Sequence, residues 1–87
     1  MHETALVRDV VRRIEDLVRS TGAGRVIRAT IWLGAFSHMS AAHFRAHYAI
    51  EAGDGPAAEA DLEIEVSADR DDPNVAAVLL VSVELDA

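Results

Sequence analysis

The chain begins with Met1, His2 and Glu3, a tripeptide that can bind a metal ion when the terminal amine is free. The amine, the main-chain nitrogen of His2 and the His2 imidazole close two small chelate rings around one ion. Nitrogen donors completed by a carboxylate such as Glu3 suit a tetragonal Ni(II) or Cu(II) centre better than a tetrahedral zinc centre. The competing interpretation is a solvated histidine on a frayed terminus, which the tripeptide alone does not exclude.

Three further histidines could add ligands. His43 and His47 lie four residues apart on a predicted helix, so both rings project from one helix face within reach of a common ion. Without a carboxylate beside it, such a pair is more often a surface or packing pair. His38 lies in the segment before that helix. We predict His38 and His43 as additional candidate ligands and favour a packing or surface role for His47.

Other chemistry finds little support. Ser37 and Ser40 flank His38, but neighbours in sequence rarely have the geometry of a catalytic triad. The three aspartates between positions 69 and 72 lack the glycine and glutamate spacing of a calcium loop and predict a polar turn. The chain has no cysteine, which excludes disulfides, thiolate zinc sites and thiol catalysis. An enzyme is therefore not expected.

Composition restricts the class of protein. The 87 residues are enough for one domain, and 51% hydrophobic with 26% charged residues is an ordinary globular composition. The net charge of −7, with 15 acidic and 8 basic residues, argues against binding to nucleic acid. No apolar run is as long as a membrane span, and the start lacks a basic region followed by an apolar one. We expect no membrane association and a cytoplasmic protein.

Two helices are predicted around these residues. Apolar residues at steps of three and four predict an amphipathic helix from Glu3 to about Arg19, ended by Gly22 and Gly24. A second helix is predicted for 41–52, capped by Ser37 or Ser40. The stripe of the first helix consists of Leu6, Val7, Val10, Val11, Ile14, Leu17 and Val18, and the inner edge of the second of Phe44, Tyr48 and Ala52.

Three segments alternate as strands do. In 25–33 the predicted buried face is Ile27, Ala29, Ile31 and Leu33, opposite Val26, Arg28, Thr30 and Trp32. In 60–66 the predicted inward residues are Leu62, Ile64 and Val66. The segment 75–85 is apolar on nearly both faces, which predicts a more central strand, and the short polar turn before it predicts an antiparallel hairpin with 60–66.

These elements predict an α+β fold. Helices with apolar stripes pack on one face of a small sheet, so we expect a two-layer domain with two helices and a three-stranded sheet. The predicted order is helix, strand, helix, strand, strand, in a single domain over residues 1–87.

The sequence resembles the HypA family along nearly its whole length. The resemblance starts with Met1-His2-Glu3 leading into an amphipathic helix. It continues through Arg25-Val26, the segment Leu33-Gly34-Ala35-Phe36-Ser37, the apolar Phe44 and Tyr48, the strand Ala60-Asp61-Leu62-Glu63-Ile64-Glu65 and the final Ser82-Val83-Glu84-Leu85. The terminal tripeptide and the Leu-Gly-Ala-Phe-Ser segment are its most specific parts.

The resemblance implies a nickel metallochaperone for the maturation of [NiFe]-hydrogenase or urease. It assigns nickel binding to the Met1 amine, the ring and main-chain nitrogens of His2, and Glu3. It implies delivery of Ni²⁺ to an apo-enzyme, usually with a partner GTPase, and no catalysis. A homodimer is left open.

Two departures from the family pattern are visible. Family members normally carry a zinc domain with two Cys-x-x-Cys pairs between the last two strands, whereas here only the polar turn at about 68–74 stands there, so no zinc site is expected. Some relatives have a carboxylate at the position of Ser40. The alternative function is a metal-independent interaction or regulatory module that uses an exposed strand edge and an acidic face.

Overall fold

Two helices and a three-stranded sheet form the domain. The computed structural model describes residues 2–86, with side chains from Thr4 to Asp86. The elements are α1 (His2–Thr21), β1 (Arg25–Leu33), α2 (Ala41–Ala52), β2 (Asp61–Val66) and β3 (Val78–Asp86). The predicted α+β class and the order helix, strand, helix, strand, strand are confirmed.

Helix α1 buries its apolar stripe against the sheet and α2. Val7 and Ile14 are fully buried, whereas Leu17 near the end of the stripe is 38% exposed. The Thr21 hydroxyl donates to the Leu17 carbonyl oxygen, and Gly22 follows with a positive φ of 71°, a conformation typical of helix ends. No helix within residues 2–86 combines the length and apolar character needed to cross a bilayer.

The pairing of the strands differs from the predicted hairpin. The sheet order is β2-β1-β3, with β1 parallel to β2 and antiparallel to β3. The predictions of a β2–β3 hairpin and of a central last strand were therefore wrong. Strand β1 is central because α2 returns the chain to pair β2 alongside it, and the next connection then carries β3 to the other edge of β1. The apolar outer residues of β3 are exposed, not buried.

The buried face of β1 also differs from strict alternation. Val26 is 1% exposed, whereas Ile27, which was predicted to face inward, is half-buried. The β1–β3 register shifts between Val26 and Arg28, so one extra residue on β1 changes which side chains point inward. Val66 was also predicted inward but is 51% exposed, because it ends an edge strand that has only β1 as a neighbour within the described residues.

The connection between β2 and β3, residues 67–77, crosses the end of β1. The Ser67 amide donates to the Leu33 carbonyl, and the Gly34 amide donates to the Ala77 carbonyl. A Cβ at Gly34 would lie 2.6 Å from the Asn74 carbonyl oxygen and even closer to the Val75 carbonyl oxygen. Since both obstacles are backbone atoms, this crossing requires glycine at position 34.

We predict that Gly34→Ala destabilises the domain by about 1–3 kcal/mol, because the crossing backbone must shift to make room. Gly24→Ala is a matched control, since a Cβ there meets only the Asp86 carbonyl oxygen at an ordinary 3.8 Å. Urea unfolding followed by the fluorescence of the single tryptophan measures both variants. Equal stability of the two would contradict the tight crossing.

Tyr48 attaches the loop after α2 to the core. Its ring is 3% exposed, and its hydroxyl donates to the Ala57 carbonyl oxygen at 2.7 Å. Burial, and secondarily the charge of Glu15, raises the pKa of Tyr48 to about 12. The folded state therefore favours the neutral phenol, which keeps its hydrogen bond to the loop.

This raised pKa predicts a loss of stability at alkaline pH. The contribution is complete below the ordinary tyrosine pKa of 10.0 and is lost as the pH rises towards about 12. Between about pH 9 and about pH 11 the free energy of unfolding should fall by about 1 kcal/mol. Tyr48 is the only tyrosine, and the chain has neither lysine nor cysteine, so few other groups titrate in this range.

Tyr48→Phe serves as the control, because it keeps the ring and removes the titrating group. Urea unfolding of both proteins at several pH values should show the alkaline decrease in the wild type only. A parallel decrease in both proteins would refute the assignment to Tyr48.

Candidate metal centre

The predicted ligands at the amino terminus coincide with the start of α1. Met1 and the side chains of His2 and Glu3 lie outside the described residues, while the main chain of His2 begins the helix. The first four N–H groups of an α-helix have no acceptor within the helix. The main-chain N–H of His2 is therefore not used by the helical hydrogen bonds, and its nitrogen can bind a metal ion once the amide proton is lost.

Two electrostatic effects of opposite sign act on a cation bound at the start of α1. The positive end of the helix dipole opposes a bound cation by about 0.3–1 kcal/mol per unit charge. For a divalent ion this energy reaches about 2 kcal/mol, or about thirtyfold in a binding constant, which is small beside the gain from a multidentate chelate. The net charge of −7 acts in the opposite direction and favours the approach of a cation.

Ser40 begins α2 as its N-cap. Its extended backbone (φ −83°, ψ 165°) precedes the helix, and its hydroxyl accepts a hydrogen bond from the His43 amide at 3.0 Å. Of the two serines predicted as caps, Ser37 is instead buried in the preceding turn. A carboxylate would cap the helix at position 40 equally well, so serine here preserves the local structure while lacking a charged donor.

His38 lies in the turn between β1 and α2. It is exposed, and its φ of 61° is the one positive value among the non-glycine residues of the described chain. Histidine is among the residues that tolerate this left-handed conformation. The residues on either side, Ser37 and Met39, are buried, so the turn holds His38 at the surface.

The rings of His43 and His47 stack on each other. Their centroids are 4.6 Å apart, and their planes differ by only 12°. The lone pair of an imidazole nitrogen lies in the plane of its ring, so two parallel stacked rings do not direct their lone pairs at one ion. This arrangement is a packing contact between two half-buried rings, not a bidentate chelate.

The described side chains contain no preformed metal site. Among them, no three histidine or carboxylate groups lie close enough together to hold an ion. His38 and His43 are therefore not brought together with carboxylates. The aspartates of the 67–77 connection act on its backbone: Asp69 accepts from the amide of Asp71, and Asp72 accepts from that of Asn74. The predicted polar turn is confirmed.

One contact near the crossing was not predicted. The Arg70 guanidinium lies over the Phe36 ring, 5.1 Å from its centroid, and so joins the 67–77 connection to the turn after β1. Phe36 is 39% exposed, which leaves one side of the ring available for this contact. No periodicity marks such a pair, because it joins a turn and a connection that only the sheet order brings together.

Comparison with solved structures shows which known proteins share this fold. One match is the solution structure of the Ni metallochaperone HypA from Helicobacter pylori, with a TM-score of 0.76, 16% sequence identity, and coverage of 98% of this chain and 97% of that chain. Another is the solution structure of a HypA protein, with a TM-score of 0.74, 18% identity, and coverage of 98% and 96%. At these identities the likeness concerns the fold alone. No curated protein sequence matches the chain.

The sequence model of one protein family matches residues 1–70. Its description is hydrogenase/urease nickel incorporation, metallochaperone, HypA. The match includes the amino-terminal tripeptide, both helices, β1 and β2, and it ends within the 67–77 connection. Metallochaperones of this kind carry a metal and are not enzymes. The chain therefore belongs to the HypA family of nickel metallochaperones.

Proposed function

We propose that this chain binds Ni(II) at its amino terminus and passes the ion to a partner during maturation of [NiFe]-hydrogenase or urease. The donors are the Met1 amine, the main-chain and ring nitrogens of His2, and the Glu3 carboxylate. The observation that carries the proposal is that α1 begins at His2, in a member of a nickel metallochaperone family. The His2 main-chain nitrogen thus lies where the helix itself does not need it.

Transfer would occur by ligand exchange. Nickel is the cargo here, and a site at the end of a chain leaves the ion accessible to donors of the next protein. Binding requires a neutral His2 imidazole and unprotonated nitrogens, so acid should favour release. We expect this transfer in the cytoplasm, with a maturation GTPase and the apo-enzyme as partners.

We further propose that residues 1–87 act as a single nickel-binding domain without a zinc site. The 67–77 connection stands where the family resemblance implies a zinc domain, and the chain has no cysteine. The connection is attached at both ends, because the main chain on either side of it bonds to Leu33 and Gly34. The domain thus closes without an inserted module.

A metal-independent interaction module is the second candidate function. Strands β2 and β3 each have one free edge within the described residues, and β2 presents the exposed carboxylates of Asp61, Glu63 and Glu65. Such a surface could bind a basic partner without any ion. This candidate predicts that nickel has no effect on partner binding.

Isothermal titration with Ni(II) tests the terminal site. Loss of a group that only supports a metal ligand weakens metal binding roughly 10–100-fold. Because His2→Ala removes a direct ligand, we expect it to weaken nickel binding by more than this. Adding one residue before Met1 should have a similar effect, since it displaces the amine and keeps every side chain. Intact mass must first show that the wild type retains Met1 with a free amine. Equal affinity in all three proteins would refute the terminal site.

The stacked histidines give a second test. The sequence predicts His38 and His43 as additional ligands, whereas the stack favours a packing role for His43 and His47. We expect the double variant His43→Ala/His47→Ala to keep the nickel affinity and stoichiometry of the wild type. The single variants are matched, because each removes the same stack. A lower affinity in His43→Ala alone would instead identify His43 as a ligand.

A further inference from the structure

We propose that the face of the sheet turned away from the helices binds an extended, arginine-bearing segment of a partner protein. Both helices pack on the opposite face, to which the fully buried Ile31 and Leu33 point. Because side chains alternate along a strand, Thr30 and Trp32 point the other way, to what we call the outer face. Its further side chains are Arg28 on β1, Asp61, Glu63 and Glu65 on β2, and Leu79, Ser82 and Glu84 on β3.

The centre of the outer face is aromatic and apolar. Trp32, the single tryptophan of the chain, is half-buried on the central strand. Its neighbours in the sheet are Glu65 on β2 and Leu79 on β3, each on a strand about 4.8 Å away. Leu79 is 39% exposed. This combination of ring, leucine and carboxylate fits a ligand side chain that has an apolar stem and a cationic end.

The charge of the outer face is negative and only partly compensated. Arg28 is the one basic residue among its side chains, and its guanidinium lies 3.3 Å from a Glu63 carboxylate oxygen and 3.1 Å from one of Glu84. Asp61 and Glu65 form no ion pair with any described residue. Four carboxylates against one guanidinium leave a net charge of −3 on this face. It therefore attracts a basic ligand and repels the phosphates of nucleic acids and membranes.

The carboxylates of β2 are spaced like the side chains of an extended ligand. Asp61, Glu63 and Glu65 are alternate residues of one strand, so each lies about 6.6 Å from the next. An extended segment presents alternate side chains at the same spacing, so its basic residues can face the whole row. The exposed ion pair between Arg28 and Glu63 rearranges at little cost when such a ligand binds.

Arginine fits this surface better than lysine. A guanidinium stacks on aromatic rings and binds a carboxylate through two parallel N–H bonds, whereas an ammonium group is a strongly hydrated point charge. Because Trp32 and Glu65 are neighbours, one arginine can stack on the ring and donate to the carboxylate at the same time. The chain already contains one such stack, Arg70 over Phe36, just past the end of β1.

Both edges of the sheet are less open to a ligand than the outer face. The Ser67 amide points to β1, so the main-chain groups of Leu62, an odd number of residues earlier, point to the free edge of β2. The Arg45 guanidinium donates to that Leu62 carbonyl oxygen at 2.9 Å and occupies it. On β3, the register shift leaves Val81 as a bulge, which hinders pairing with a further strand. The partner therefore lies on the face and not at an edge.

This inference gives the metal-independent candidate function a surface and a ligand chemistry, and it does not depend on nickel. Titration with short synthetic peptides in metal-free buffer, followed by Trp32 fluorescence, tests it. The probes are acetylated and amidated peptides that alternate valine with arginine, lysine or serine. We expect the arginine peptide to bind saturably and about threefold more tightly than the lysine peptide, because of the stack on Trp32. Added salt should weaken its binding, and the serine peptide should not bind.

Three outcomes of this titration would overturn the proposal. The first is no saturable binding of the arginine peptide at low salt. The second is equal affinity for the arginine and lysine peptides, which would indicate attraction by charge alone. The third is tighter binding of the serine peptide, which would indicate an apolar partner.

Paired removal of charges locates the site. Asp61→Asn/Glu65→Gln should weaken binding of the arginine peptide about fivefold, because two exposed ion pairs with the ligand are lost. Asp9→Asn/Asp16→Asn is the matched control, since it removes two exposed carboxylates from α1, on the other side of the sheet, and gives the same net charge. Equal weakening by the two double variants would show that only the net charge attracts the peptide, against the proposal.

Trp32→Leu tests the stack, with binding measured by calorimetry because this variant lacks tryptophan. The arginine and lysine peptides should then bind with about equal affinity, and circular dichroism checks that the variant is folded. An unchanged preference for arginine would refute the role assigned to Trp32. Since no metal is present, failure of these tests leaves the proposed nickel site unaffected, and the titrations of His2→Ala decide that site separately.

Discussion

The close approach of two backbone segments at Gly34 governs the arrangement of the sheet. Residues 67–77 cross the end of β1 there and deliver β3 to the edge of β1 opposite β2. Because β1 is thereby paired on both sides, its inner residues become the centre of the core. The helix α1 then packs against both β1 and β3. A side chain at position 34 would push these segments apart, so the close crossing depends on glycine at this position.

The sequence predicted the elements much better than their partners. Steps of three and four found α1, and the cap at Ser40 located α2 correctly, because both signals depend on neighbours within one or two turns. The pairing of β2 and β3 depends on residues far apart in the chain, and a short polar turn between them suggested a hairpin that does not form. Val26, and not the predicted Ile27, lies on the inner face of β1 for a similar reason. A bulge in a ladder with a distant strand caused it, and alternation along one strand does not reveal such a bulge.

For the candidate metal site, too, the sequence predicted local features better than the detailed geometry. The terminal tripeptide was recognisable because its chelate would use an amine, a main-chain nitrogen and the adjacent side chains, all close in sequence. That His2 also begins α1 adds a reason for its main-chain nitrogen to be available. The spacing of His43 and His47 placed both rings on one helix face correctly. Whether two such rings chelate or stack depends on their rotamers, which spacing leaves open and which the 12° angle between the rings decides in favour of stacking.

The crossing also explains how a HypA-family chain can keep its fold without a zinc domain. The connection leaves β2 at Ser67, bonded to Leu33, and returns at Ala77, bonded to Gly34. These two attachment points belong to consecutive residues at the end of β1, so the ends of the connection are held close together by main-chain hydrogen bonds. A segment inserted between them would leave both bonds and the β1–β3 ladder in place. In this chain a short polar turn spans the same gap. Side-chain hydrogen bonds of Asp69 and Asp72 to its backbone and the Arg70–Phe36 contact stabilise it. The ends of the connection are thus held by main-chain hydrogen bonds to β1 and to the residue after it, and the described residues close the domain without a metal-bound insertion.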